Sequence, residues 1–386
     1  MIQIDAQYLL DTLQDAIRIN SIIPHEEKLA AFFAEKIREL GLEPEWRVVA
    51  EGRPNVSASA QLGPSQRLIT LTGHLDTVGV AANWPTDPFE PVIRDGKLYG
   101  LGSYDMKSGL VCALTAFKAL LDDVSLHPKL GRIGFAATVD EEGLGLGAKA
   151  LLETPYGQSD AMLLGEPFWG GVLGPAPTGL TGKVLYKLTV TGRMAHGFYP
   201  ERGVNAVEDA GKIVAALDRL NIGAHPVYGR GNYSTLKIEG GYKEYAIVVP
   251  ETCQVIITRL TIPGETRASA VADMRQLIDA LDLACDVTIE TPPPFYEPYS
   301  LAENEPLLEN FKSAYQQVLG QPPALQFGRG ITDANIYVAE GNIPTITFGP
   351  RGNGAHEAGE YVEVDSLQPV AQVFAETARE FFAARE

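Results

Sequence analysis

An α/β layered fold interrupted by a smaller α+β unit is what this sequence predicts, on three observations. Short, continuous apolar runs alternate with helical periodicities toward both ends of the chain. The middle instead alternates apolar and polar residues, as a half-solvated strand does, and prolines bracket it. The length, 386 residues, exceeds one ordinary core.

The first two elements are helices. Leu9, Leu10, Leu13, Ile17 and Ile19 form one apolar stripe; Leu29, Ala30, Phe32, Phe33, Ile37 and Leu40 form another, ended by Gly41. Buried strands are predicted at Arg67–Gly73, Gly131–Val139 and Ala161–Leu164, with helices over Ser108–Leu121 and from Ala148. In the middle, Val184, Tyr186, Leu188 and Val190 alternate with polar neighbours. A helix follows over Asn205–Leu220, then two or three strands within Tyr233–Leu260, a helix within Ser269–Leu281 and a strand at Asp286–Glu290. The order strand-helix-strand-strand-helix-strand suits a ferredoxin-like unit. Pro175 and Pro177 mark its entry and Pro292–Pro294 its exit. The expected division is 1–177, an inserted 178–293, and 294–386. A strand at Ile343–Phe348 and a helix at Leu367–Phe382 resume the α/β pattern.

Composition narrows the function. Hydrophobic residues make up 45% and charged residues 21%, as in a soluble globular protein. No run approaches the roughly eighteen apolar residues of a membrane span. The N-terminus lacks a basic stretch and reads as a helix start, not a signal peptide. Cys112, Cys253 and Cys285 lie far apart in apolar contexts, which argues against disulfides and for a reducing, cytoplasmic setting. A formal charge of −18 repels phosphate backbones and anionic membranes, so neither nucleic acid nor membrane is an expected partner.

In open α/β sheets, ligands bind outside the carboxyl ends of the strands. The residues following the predicted strands are Gly73-His74-Leu75-Asp76, Asp140-Glu141-Glu142-Gly143, Gly165-Glu166-Pro167 and, after Gly349-Pro350, His356. Asp105 lies in a loop that enters a helix. One sheet edge therefore gathers imidazoles and carboxylates, the donor mixture zinc takes in hydrolases. Asp105, Glu142 and Glu166 bring three negative charges; two divalent cations leave one positive charge, which a bridging hydroxide cancels. A single cation would leave crowded, uncompensated carboxylates. Within Glu141-Glu142, one carboxylate binds metal and the other stays free as general base. A lone His-x-Asp or Glu-Glu is ordinary surface; recurrence at successive strand ends is not. His25, His127 and His225 have no such acidic company.

These segments resemble the acetylornithine deacetylase, succinyl-diaminopimelate desuccinylase and glutamate carboxypeptidase group of co-catalytic zinc enzymes. The likeness runs through Gly73–Val78, Asp95–Gly109, Asp140–Gly143, Gly165–Pro167 and Gly349-Pro350 to His356, and spans nearly the whole chain. It implies a zinc-peptidase-type catalytic domain with a central, mostly parallel sheet flanked by helices. The insert becomes a ferredoxin-like lid and dimerisation domain, and the protein a homodimer. It also implies two Zn²⁺ per subunit, with Co²⁺ or Mn²⁺ as substitutes. His74 and Glu166 would bind one ion, Glu142 and His356 the other, and Asp105 would bridge them, often followed by a cis peptide. Asp76 would orient His74, and Glu141 would be the general base. Thr191–His196 followed by Gly203–Ala206 resembles the segment whose histidine reaches the reacting carbonyl, which makes His196 an oxyanion donor. One departure stands out: an asparagine common before the equivalent of Pro250 is replaced here by Ala246-Ile-Val-Val.

The expected reaction is amide hydrolysis of a small N-acyl amino acid, closest to acetylornithine deacetylases in the Trp84–Phe89 and Lys97–Gly102 segments. A metallo-exopeptidase, dipeptidase or acylglutamate carboxypeptidase with the same site is the alternative; an inactive binding relative and a two-metal phosphoesterase are more distant ones. Such substrates carry carboxylates, which arginine grips with paired hydrogen bonds. Arg259 and Arg329 are the candidates, with Arg351 a weaker third.

Overall fold

A computed structural model describes residues 1–167, 176–244 and 246–383. Pro175, expected to mark the entry to the insert, lies outside them. The chain divides into two compact units. One holds residues 1–179, 301–328 and 332–386; the other holds 180–300 and 329–331. The second unit thus starts two residues later and ends seven later than the sequence pattern suggests, and it takes in the short segment around Arg329.

The first unit is built on a six-stranded sheet. Its order is Glu45–Ala50, Arg53–Gln61, Arg132–Thr138, Leu68–His74, Ala161–Leu164, Thr345–Thr347. The last four are parallel to one another, while the first two form a hairpin on one edge whose inner strand, Arg53–Gln61, runs antiparallel to Arg132–Thr138. Every residue of Leu68–His74 and Ala161–Leu164 is buried, which is why these strands read as unbroken apolar runs. Helix Lys107–Asp122 is buried along most of its length and packs on Leu68–His74, on Ala6–Arg18 and on Leu367–Ala383. Helix Pro306–Leu319, which the sequence reading did not single out, packs on Leu367–Ala383.

Two glycines set a close approach that matters for the site. A Cβ on Gly109, in the first turn of Lys107–Asp122, would stand 1.6 Å from the Gly165 carbonyl oxygen. Only glycine lets the helix start lie against the strand end that carries Glu166.

The second unit is the α/β-to-α+β change seen as residues. Its strands run Asn232–Gly240, Thr252–Thr261, Gly182–Thr191, Asp286–Glu290 across an antiparallel sheet. Along Gly182–Thr191, burial alternates residue by residue, so Val184, Tyr186, Leu188 and Val190 face inward. Ala206, Ala210 and Ile213 of one helix and Ala270, Met274 and Ile278 of the other close over that face. Asn205 caps the first helix by accepting the Val207 and Glu208 N–H groups; Thr266 and Ser269 form a capping box on the second. Among the described residues, no helix is long and apolar enough to cross a membrane.

Candidate metal centre

Strand Leu68–His74 ends on a buried histidine. The His74 Nδ1 lies 2.9 Å from the main-chain oxygen of Asp76. A carbonyl only accepts, so Nδ1 carries the proton and Nε2 is turned the other way. There it faces Asp105 Oδ1 at 3.4 Å and Glu166 Oε2 at 3.5 Å. These three atoms are buried, and none makes a hydrogen bond among the described residues. Buried polar atoms left without partners cost free energy; three of them converging on one point is the signature of a group they are built to hold.

Asp105 looks both ways. Its Oδ2 stands 3.4 Å from His356 Nε2, which in turn is 2.7 Å from Glu142 Oε1. The peptide bond after Asp105 is cis. Three candidate donor sets lie together, His74–Asp105–Glu166, His74–Glu141–Glu142 and Asp105–Glu142–His356, and the first and last share the Asp105 carboxylate. Glu141 adjoins the first, its Oε2 4.0 Å from His74 Nε2. Mixed imidazole and carboxylate donors of this kind suit zinc.

The charges bear the marks of crowding. Burial and the nearby Glu166 push the Glu141 carboxyl well above its ordinary value. Burial likewise raises Glu166 to about 7, against the pull of His74. Burial would raise Asp105 too, but the imidazoles of His356 and His74 beside it hold it below the usual carboxylate range. The same contacts, with Asp105 and Glu142, lift His356 to about 10.

Around this cluster stand further carboxylates, three of which, Asp76, Asp140 and Glu360, are turned to the backbone. Asp76 accepts the N–H groups of Glu141 at 3.2 Å and Glu142 at 2.9 Å, while its carboxylate is 3.7 Å from His74 Nδ1. The sequence reading had that carboxylate orienting His74; here the Asp76 carbonyl makes the shorter contact. Asp140, at φ +70°, accepts the N–H groups of Leu144 and Leu146 and pairs with Arg53 at 2.8 Å. Arg53 is also held by buried Glu26. Glu360 accepts N–H groups from Gly102, Tyr104 and Asp105. Asp333, buried beside Thr138, is raised to about 7 by burial. Sequence reasoning missed Arg53, Asp333 and Glu360. Their partners are main-chain or distant groups, which leave no spacing to read.

The remaining candidates fall in the second unit or are otherwise engaged. Arg259 is fully buried, with its guanidinium 2.5 Å from Glu265 and 3.1 Å from Asp273. That corrects its expected place: these acids take the hydrogen-bonding face that a substrate carboxylate would need. Arg351 is paired with Glu363 and Asp365. Arg329 is exposed and makes no ion pair among the described residues. His196 is exposed in the second unit, beside the rings of Phe198 and Tyr199, and its backbone bridges Val248.

An α/β sheet edge holding two donor sets through a shared carboxylate defines a metal-dependent hydrolase, a zinc-dependent amidohydrolase or metallopeptidase. The chain belongs to Peptidase family M20/M25/M40, whose sequence profile matches residues 70–380. It is 29% identical over 385 residues to a succinyl-diaminopimelate desuccinylase of Methylorubrum populi, covering 95% of this chain and 96% of that one. Another desuccinylase, of Methylobacterium radiotolerans, is 30% identical over 382 residues, covering 96% and 95%. Among solved structures, the aminopeptidase PepT of Bacillus cereus superposes with a TM-score of 0.80 at 22% identity, over 98% of this chain and 99% of that one. That likeness concerns the fold alone.

Proposed function

We propose that this protein hydrolyses the amide bond of a small N-acyl amino acid, with two zinc ions held by His74, Glu166, Glu142 and His356 and shared by Asp105. The observation that carries it is Asp105, whose two oxygens face two separate donor sets. When bound, the cations supply Lewis acidity, lowering the pKa of the attacking water and polarising the amide carbonyl.

The chain's own residues do the rest. Glu141 could join a donor set with His74 and Glu142, but its carboxylate stands farther from His74 Nε2, at 4.0 Å, than those of Asp105 and Glu166, and we assign it the base's role. A carboxyl raised by burial holds a proton more readily than an ordinary glutamate, which suits a group that takes a proton from water and returns it to the leaving amine. The Asp76 carboxylate fixes the backbone of Glu141 and Glu142, so base and ligand keep their division of labour. His196, from the second unit, supplies a hydrogen bond to the oxyanion. Exposed Arg329 binds the substrate carboxylate; Arg259 is withdrawn from that role. The second unit also pairs two copies: strand Asn232–Gly240 is a sheet edge with Leu236 58% and Ile238 50% exposed.

The desuccinylase relatives put N-succinyl diamino acids beside acetylornithine as first substrates, with simple dipeptides and acylglutamates for the exopeptidase alternative. The test is zinc-supplemented hydrolysis of that panel with Glu141→Ala as control. Turnover of an N-acyl amino acid, abolished in the variant, is the expected result. Turnover confined to dipeptides would replace deacylation with peptidase action, and no turnover by a protein loaded with two metals would sink both.

A further inference from the structure

We propose that Glu360 is a positioning residue that sets the geometry of the metal pair by fixing the backbone at Asp105. The inference rests on the two-metal reading above. Glu360 is 2% exposed. Its Oε2 accepts the Gly102 N–H, and its Oε1 accepts those of Tyr104 and Asp105, each at 2.8 Å. The stretch 101–106 has neither helix nor strand to satisfy its N–H groups, so one carboxylate replaces a ladder. Hydrogen bonds from amides to a charged acceptor are the strong kind.

The second half of the inference is where Glu360 comes from. It lies four residues after His356 and directly before strand Tyr361–Glu363, which pairs with Lys97–Tyr99 just ahead of the Asp105 loop. The Glu360 main-chain oxygen also accepts the Gly100 N–H at 3.2 Å. Side chain and main chain together tie the segment bearing His356 to the loop bearing Asp105. Those two residues face each other at 3.4 Å. The distance between the donor sets is thereby set by a residue that touches neither ion.

The experiment titrates metal-stripped wild type, Glu360→Gln, Glu360→Ala and Glu376→Gln with Co²⁺. It reads bound stoichiometry and the visible absorption of the loaded protein, with circular dichroism to confirm folding. Glu376 is the control, equally buried and also accepting a backbone N–H, that of Ile2. Glutamine keeps an oxygen for Tyr104 and Asp105 but turns an amide toward Gly102; alanine keeps nothing. Affinity for the second cobalt is expected to fall about tenfold in Glu360→Gln and about 100-fold in Glu360→Ala, with an altered spectrum, while Glu376→Gln loses thermal stability only. Unchanged affinities and spectra in the Glu360 variants would overturn the proposal, as would an equal loss in Glu376→Gln. Should Glu360→Ala fail to fold, Glu360→Gln against Glu376→Gln decides. A wild type that takes up fewer than two cobalt ions sinks the two-metal reading itself, and this inference with it.

Discussion

Each unit gathers a cluster of acids, and the two clusters are completed differently. In the second unit, Glu265 and Asp273 converge on Arg259, so the chain supplies the cation itself. In the first, Asp105, Glu142 and Glu166 converge on one another and on two histidines, and three atoms that face each other have no hydrogen bond among the described residues. A buried acid must be neutralised by something. Where an arginine does it, the cluster is structural; where no arginine or lysine among the described residues pairs with it, the cluster is a site for a cation from outside. Both clusters crowd carboxylates together, and the partner inventory separates structure from chemistry.

The sharpest way to break this contrast is Glu141→Ala. Glu141 stands farther from His74 Nε2 than Asp105 and Glu166 do, and as the base rather than a ligand its loss should leave metal content at wild-type level. Activity, measured as kcat/KM on the best substrate, is expected to fall ~10²–10⁴-fold. Loss of metal together with activity would make Glu141 a ligand and blur the division from Glu142.

Arg259→Leu tests the other side. Removing buried Arg259 leaves the partly buried Glu265 and Asp273 without its charge, at a cost of about 3–5 kcal/mol. The low end is expected, since both acids keep some solvent access. Denaturant unfolding should show the loss, and metal stoichiometry should not move. Unchanged stability would return Arg259 to the substrate candidates.

Arg329→Ala is expected to act on substrate alone, because that guanidinium is exposed and unpaired among the described residues. Losing a charge-assisted contact worth about 1.5–3 kcal/mol raises KM roughly tenfold to a hundredfold and leaves stability intact. A stability change with constant KM would contradict it.

The smallest effect concerns acid. Burial alone would raise the Asp209 carboxyl, but Lys212 and the N–H groups of Cys285 and Ala284 hold it below its ordinary value. A lowered folded-state pKa adds stability that is present above the unfolded value and lost as pH falls through the folded one. Asp209→Asn should therefore flatten the acid limb of the second unit's stability curve; an unchanged limb would place the acid sensitivity elsewhere.

How far the sequence was legible follows from the same physics. Strands buried on both faces announce themselves, and Ala161–Leu164 is bounded where its apolar run is bounded. The alternation from Val184 to Val190 likewise marks a strand with one inner face. The edge hairpin Glu45–Ala50 and Arg53–Gln61 was not legible, because Pro54, Asn55, Ser57 and Ser59 break any apolar pattern while the partner strand is largely exposed. The cluster residues were legible because they recur at strand ends in glycine-rich turns. Arg259 misled, because a charged residue in a strand does not reveal that its acids arrive from Glu265 and Asp273. Glu360 was silent, because a carboxylate that grips main-chain N–H groups has no side-chain partner to give it away.

Metal stoichiometry measured on the whole protein, by elemental analysis after zinc loading and exhaustive dialysis, tests the central claim most directly. Two zinc ions per chain, falling below two in Asp105→Ala, is the expected result. One ion or none in the wild type, or two that survive loss of the shared carboxylate, would contradict it.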